Sequence, residues 1–159
     1  DGVQVTITGD KKKLWLGESK LYKTGDAGVR DLAEDIKKHV NADYLRREFS
    51  LISKKLPESI PEIEYWRSLM DEHQKLDVIF SNIVIPMVCT YNSDLFKNHC
   101  EESNKYFEDF ISECTALCKT FDKLKGNVST EVILMLLPVQ NKDMLNTELD
   151  KRLKLMQQI

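Results

Sequence analysis

Residues 94–125 read DLFKNHCEESNKYFEDFISECTALCKTFDKLK, and their periodicity sets the expected architecture. Phe96, Cys100, Ser103, Phe107, Phe110, Cys114, Leu117, Phe121 and Leu124 follow one another at alternating steps of four and three. Charged residues fill the intervals, among them Glu101, Glu102, Lys105, Glu108, Asp109, Lys119 and Asp122. That alternation predicts one helix with a single buried face, about 45 Å long at 1.5 Å per residue. Gly126 follows, a residue suited to ending a helix.

Reading outward, Ser129 heads a short segment, Val132 to Leu137, that is apolar on all sides and closed by Pro138. It predicts a helix buried within a bundle; as a strand it would be the main aggregation hazard. Asn141 then caps a last helix with the stripe Leu145, Leu149, Leu153 and Met156. On the other side, the stripe Ile63, Trp66, Leu69, Met70, His73, Leu76, Phe80 and Ile83 predicts a helix that Pro86 kinks or ends, with Met87 to Tyr91 as its buried continuation. Asp26 is the expected N-cap of an earlier helix through Val29, Leu32, Ala33, Ile36 and Val40. Asn41-Ala42-Asp43 then shifts the phase to a second stripe at Leu45, Phe49, Ile52 and Leu56.

Only the N-terminus reads as β. Val3 to Thr8 alternates apolar and polar residues, Gly9-Asp10 makes a turn, and Leu14 to Gly17 returns. A lone hairpin is marginal in water, so it must pack on the helices or pair elsewhere. The expected fold is therefore mainly α: a bundle of five or six helices over residues 26–159, built around the 94–125 helix, with a β-hairpin over residues 1–23. The 159 residues suit a single domain, and a start at Asp1 reads as a piece of a larger chain.

The net charge of -3 is unevenly spread. Residues 1–61 carry twelve Lys and Arg against ten Asp and Glu, residues 62–109 four against ten, and residues 110–159 seven against six. No helix drawn from the pattern has a basic stripe, which argues against nucleic acid as a partner. The longest apolar run, Val78 to Val88, is broken by Ser81, Asn82 and Pro86 and falls short of the ~20 residues of a membrane span. On one straight helix Cys100 and Cys114 stand about 21 Å apart, against a limit of ~7 Å for a disulfide. Buried thiols in a reducing compartment fit better, which places the chain inside a cell, cytoplasmic or nuclear. The sequon Asn127-Val128-Ser129 leaves a secreted form open.

Candidate chemistry is sparse. His99, Cys114 and Cys118, with Cys100, have the donor types that zinc takes, but Cys100 lies too far along the helix and no Cys-x-x-Cys pair occurs. His99 and Cys100 point about 100° apart on a helix, so they do not form a base–nucleophile pair. His39 and His73 stand alone, and Gly25-Asp26-Ala27-Gly28 lacks the lysine and spacing of a P-loop. The reading is a non-enzyme with no catalytic residue, cofactor or metal. Leu14-Trp15-Leu16 on the hairpin edge offers an aromatic anchor for a partner, and Leu149, Leu153 and Met156 offer a second surface on the last helix. The expected function is a protein–protein interaction module, an adaptor or scaffold, binding another protein or a second copy of itself through a groove, the hairpin edge or the terminal helix. The alternatives are a bundle enclosing a lipid or other apolar ligand, or a secreted effector or antigen domain.

Overall fold

β1 (Gly2–Thr8) and β2 (Lys11–Tyr22) form the expected antiparallel hairpin, turning at Gly9, whose φ of 58° suits glycine. Beyond the hairpin the computed structural model, which describes residues 2–98 and 103–157, departs from a helical bundle. β2 pairs in parallel with β3 (Ile83–Asn92), and β3 in parallel with β4 (Glu131–Val139), giving a four-stranded mixed sheet in the order β1-β2-β3-β4. Four helices connect β2 to β3: α1 (Gly25–His39), α2 (Ala42–Ser53), α3 (Ile63–Leu69) and α4 (Leu76–Asn82). α5 (Leu95–Asn98) and α6 (Asn104–Lys125) connect β3 to β4, and α7 (Lys142–Met156) follows.

The fold is thus mixed α/β, and the expectation of a mainly α or all-α bundle is corrected at two segments. Residues 83–92 continue the apolar stripe of residues 63–83 in sequence, yet they form a strand with one face buried in the core and the other, Val84 apart, half-buried. Residues 131–139 form its parallel neighbour. Short apolar runs cannot be assigned by periodicity alone, and strands of a parallel pair tend to read as near-continuous apolar runs. Pro86, which cannot donate to the ladder, is accommodated inside β3 opposite Ile133.

The long helix is shorter than expected. Ser103, the polar break in the stripe, is the N-cap of α6: its backbone is extended and its side chain accepts a hydrogen bond from Tyr106 N at 3.2 Å. The remaining 22 residues of α6 span about 33 Å.

α1 fills the space between the sheet and α6. Val29, Leu32 and Ile36 meet a core that includes Leu14 and Leu16 of β2, Ile83, Ile85 and Met87 of β3, and Leu117 and Phe121 of α6. Each such fully buried side chain contributes about 1.5–3 kcal/mol. Close approach depends on two glycines. A Cβ on Gly28 would stand 2.3 Å from Cys89 Sγ, and one on Gly25 would stand 2.7 Å from Leu117 Cδ1. Phe49, Trp66 and Ile79 extend the core through α2, α3 and α4.

The opposite face of the sheet carries Trp15 and Leu21 of β2, Val84, Pro86 and Val88 of β3, and Ile133, Met135 and Leu137 of β4. Leu21, Met135 and Leu137 are exposed there. α7 starts from the end of the sheet, where Lys142 N donates to Asn92 Oδ1 at 2.6 Å. It buries no residue of its own. Among the described residues no helix is long and apolar enough to cross a membrane.

Candidate functional site

Alternate residues of a strand face the same way, so Leu14 and Leu16, which are buried against the α1 side, are followed on that face by Glu18, Lys20 and Tyr22. Their register partners on β3 are Met87, Cys89 and Tyr91. The core-facing side of β2, a strand with a neighbour on either side, therefore changes from apolar to charged halfway along its length. α1 answers with Asp31, Asp35 and His39, four residues apart and so on one face of the helix.

The ammonium of Lys20 sits at the centre. Its Nζ lies 2.8 Å from Asp35 Oδ2, 3.1 Å from Glu18 Oε1 and 3.6 Å from Asp31 Oδ2. Lys38 Nζ donates to Asp35 Oδ1 at 2.6 Å. The Tyr22 hydroxyl donates to Asp31. His39 Nε2 lies 3.6 Å from Glu18 Oε2, with its ring edge-on to Tyr44. The side chains of Glu18 and Asp35 are only 12% and 10% exposed, so these charges are largely removed from water.

That environment fixes the protonation states. The hydrogen bond to Asp35 raises the Lys20 pKa well above its ordinary value, outweighing burial, so the ammonium persists. Burial alone would raise the Asp35 carboxyl, but the hydrogen bonds from Lys20 and Lys38 outweigh it and hold it below the usual range. The hydrogen bond to Asp31, with burial, pushes the Tyr22 phenol up to about 12. Lys20 is therefore a fixed cation rather than a base, and Tyr22 a proton donor. Asp35 Oδ2 is buried, and the partner it has is the Lys20 ammonium at 2.8 Å.

The cluster lies in the carboxyl-terminal half of β2, beside its parallel neighbour β3, the end where open α/β sheets take their ligands. A cavity of about 50 Å³ on the side of the hairpin, lined in part by Gly17, His39, Tyr44 and Glu48, meets the cluster at His39. At the end of β3, Glu113 of α6 accepts from Tyr91 Oη at 2.7 Å and from Ser93 Oγ at 2.9 Å. Burial, reinforced by Glu113, drives the Tyr91 phenol far above its ordinary value.

The residues singled out from sequence are scattered. Leu14 and Leu16 are buried beneath α1, whereas Trp15 points to the opposite face and donates from Nε1 to Thr6 Oγ1 at 2.9 Å. Leu149, Leu153 and Met156 are exposed on α7. Cys114 is half-buried and Cys118 exposed, one turn apart on α6; His99 and Cys100 lie outside the described residues. Cys89 is a core thiol whose pKa burial pushes up to about 11. Among the described residues no three His, Cys, Asp or Glu side chains are grouped to hold a metal ion by themselves. His39, isolated in sequence, is brought to Glu18, while His73 is exposed beside Glu72. Glu18, Lys20, Asp31 and Asp35 were not anticipated. Their signal was the replacement of apolar by charged residues at the inward positions of one strand.

No curated protein and no solved structure matches the chain. The family described as HamA matches residues 1–153. With a match over nearly its full length, the chain belongs to the HamA family.

Proposed function

We propose that the β2–α1 cluster is a hydrolytic site for phosphodiesters, assisted by a divalent cation. The observation that carries this reading is the inward-facing Glu18 and Lys20 of a flanked strand, closed by Asp35. Replacing such a buried charge network with apolar residues is often neutral or stabilising, so its presence calls for a functional account. The residue types suit one chemistry. Hard cations of the magnesium type bind through one or two carboxylates and complete their shell with water and substrate phosphate. Glu18 and Asp35, whose oxygens the Lys20 ammonium bridges, are the donors that would hold such an ion once that ammonium moves aside toward the phosphate. When bound, it supplies a more acidic water and neutralises phosphate charge.

The remaining work falls to the chain itself. Lys20 stays protonated and stabilises the negative charge that builds on the phosphoryl oxygens as water attacks phosphorus. The attacking water releases its proton to solvent as the phosphorus–oxygen ester bond breaks, and the departing oxygen takes up a proton from Tyr22 or His39, which border the site and are reprotonated from solvent. No cysteine serves as nucleophile in this scheme: Cys89 lies under Gly28, with its thiol held neutral.

The test is hydrolysis of a phosphodiester dye ester and of a labelled oligonucleotide with Mg²⁺, Mn²⁺ or excess chelator. Cation-dependent turnover that falls at least about 100-fold in both Glu18→Gln and Lys20→Met, with the fold intact by circular dichroism, is the expected outcome. Turnover unchanged in the variants, or absent with every cation, would remove the reading.

A second reading, an interaction module, is favoured by a separate observation: the exposed stripe Leu149, Leu153 and Met156 on α7, together with the partly open apolar face of the sheet. Light scattering across a hundredfold range of concentration would detect self-association through these surfaces.

A further inference from the structure

A groove of about 570 Å³ runs between α2 and α3. Arg46 and Arg47 of α2 and Lys54 at its C-cap line it, and Arg67 stands on the α3 side. The α3 cation is committed, since Arg67 pairs with Glu58 and Glu64. The α2 cations are not. Arg46 Nη2 donates to the Gln74 carbonyl at 3.2 Å and Arg47 Nε to the Asp43 carbonyl at 3.2 Å. Neither these two nor Lys54 forms an ion pair with a carboxylate among the described residues. Arg46 Nη1 is buried and has no hydrogen-bond acceptor among the described residues, so an anion in the groove reaches it once the guanidinium turns outward. A buried guanidinium nitrogen without an acceptor is costly, and arginine is the residue best matched to oxyanions that accept two parallel hydrogen bonds. Ser50 and Ser53 add hydroxyl donors to the same wall. Asp71 and Glu72 also line the groove, so a broad acidic surface would be repelled and a compact anion is preferred.

We propose that this groove is a phosphate-recognition site, in which Arg46, Arg47 and Lys54 hold one phosphate group. It goes beyond the hydrolytic reading and stands without it, because none of its residues belongs to the β2–α1 cluster. The phosphate has two possible sources, a free phosphorylated small molecule or one position of a nucleic-acid backbone.

The experiment measures thermal midpoints of the whole chain at constant ionic strength, in chelator so that no turnover occurs. Inorganic phosphate, tripolyphosphate and a single-stranded oligonucleotide are the probes, with chloride as reference. A stabilising shift of about 3–6 °C at ten times the dissociation constant is expected for at least one probe. That shift is lost in Arg47→Gln/Lys54→Gln, a pair chosen because neither side chain contributes to the core. It is retained in Lys119→Gln/Lys123→Gln, which removes the same charge from α6. A response to tripolyphosphate identifies a free ligand, and a response to the oligonucleotide alone identifies a strand. No shift with any probe, or equal loss in both double variants, overturns the proposal. Because Glu18→Gln leaves the groove untouched, failure of hydrolysis in that variant and failure of phosphate binding here are separately visible.

Discussion

Replacing Lys20 with methionine removes the one cation that, among the described residues, touches Glu18, Asp31 and Asp35 together. Breaking a fully buried ion pair costs about 3–5 kcal/mol. Lys20 keeps 28% of its side-chain exposure and Lys38 still pairs with Asp35, so a loss of about 1–3 kcal/mol near neutral pH is expected. The pH dependence separates this from a simple packing defect. In the native chain the Asp35 pKa is depressed, so its ionised form stabilises the fold above the ordinary value of 3.8, and that stability is lost as pH falls through the folded value. Without Lys20, burial pushes the carboxyl upward with only Lys38 opposing it, and acid then removes less stability from the variant than from the native chain. The gap between the two proteins should therefore narrow as pH falls. Urea unfolding followed by the fluorescence of Trp15 and Trp66, at about pH 7 and about pH 3.5, measures that gap. An equal gap at both values, or a variant as stable as the native chain at neutrality, would refute the electrostatic account of the cluster.

Two further substitutions probe the frame that holds it. Gly28→Ala places a methyl 2.3 Å from Cys89 Sγ and should cost about 1–3 kcal/mol by overpacking, offset by up to about 1 kcal/mol of helix propensity. Adding Cys89→Ala should recover much of that loss in thermal denaturation; strictly additive costs would mean α1 is free to retreat from the sheet. The Asn141 side chain accepts from Asp143 N and Met144 N, so Asn141→Ala should lower local α7 stability by about 1 kcal/mol. Amide exchange should quicken in α7 without moving the global midpoint, because that helix buries no residue. A shift of the global midpoint would show α7 to be part of the cooperative core.

Local signals in the chain were readable where a single residue type decides them. Asn141 caps α7, Gly126 ends α6, and the alternation of residues 3–8 marks a strand, whereas the cap of α1 is Thr24 and not Asp26, which lies in its first turn. What escaped was long-range pairing. Val84 to Asn92 and Glu131 to Val139 satisfy each other across the sheet, and no local window records that each strand supplies the neighbour that makes the other β. The same blindness hid the charged cluster. Glu18 and Lys20 look like ordinary hairpin residues until β3 flanks β2 and α1 brings Asp31, Asp35 and His39 over them. It also hid the basic groove, because Arg46, Arg47 and Lys54 are joined by a helix whose placement depends on tertiary packing.

The parallel pairing of β2 with β3 also has a consequence for biosynthesis. Ile83 follows its register partner Leu14 by some 70 positions, so at 5–20 residues per second the partner strand is made roughly 4–14 s later. During that interval the hairpin and α1 can form, but the β3 edge of β2 stays open, with Lys20 and Glu18 near it and only α1 to shield them. Charged residues along an open strand edge discourage pairing with another chain. The ion cluster of the mature fold can thus act earlier, as a guard on the nascent polypeptide while its central strand is still inside the ribosome.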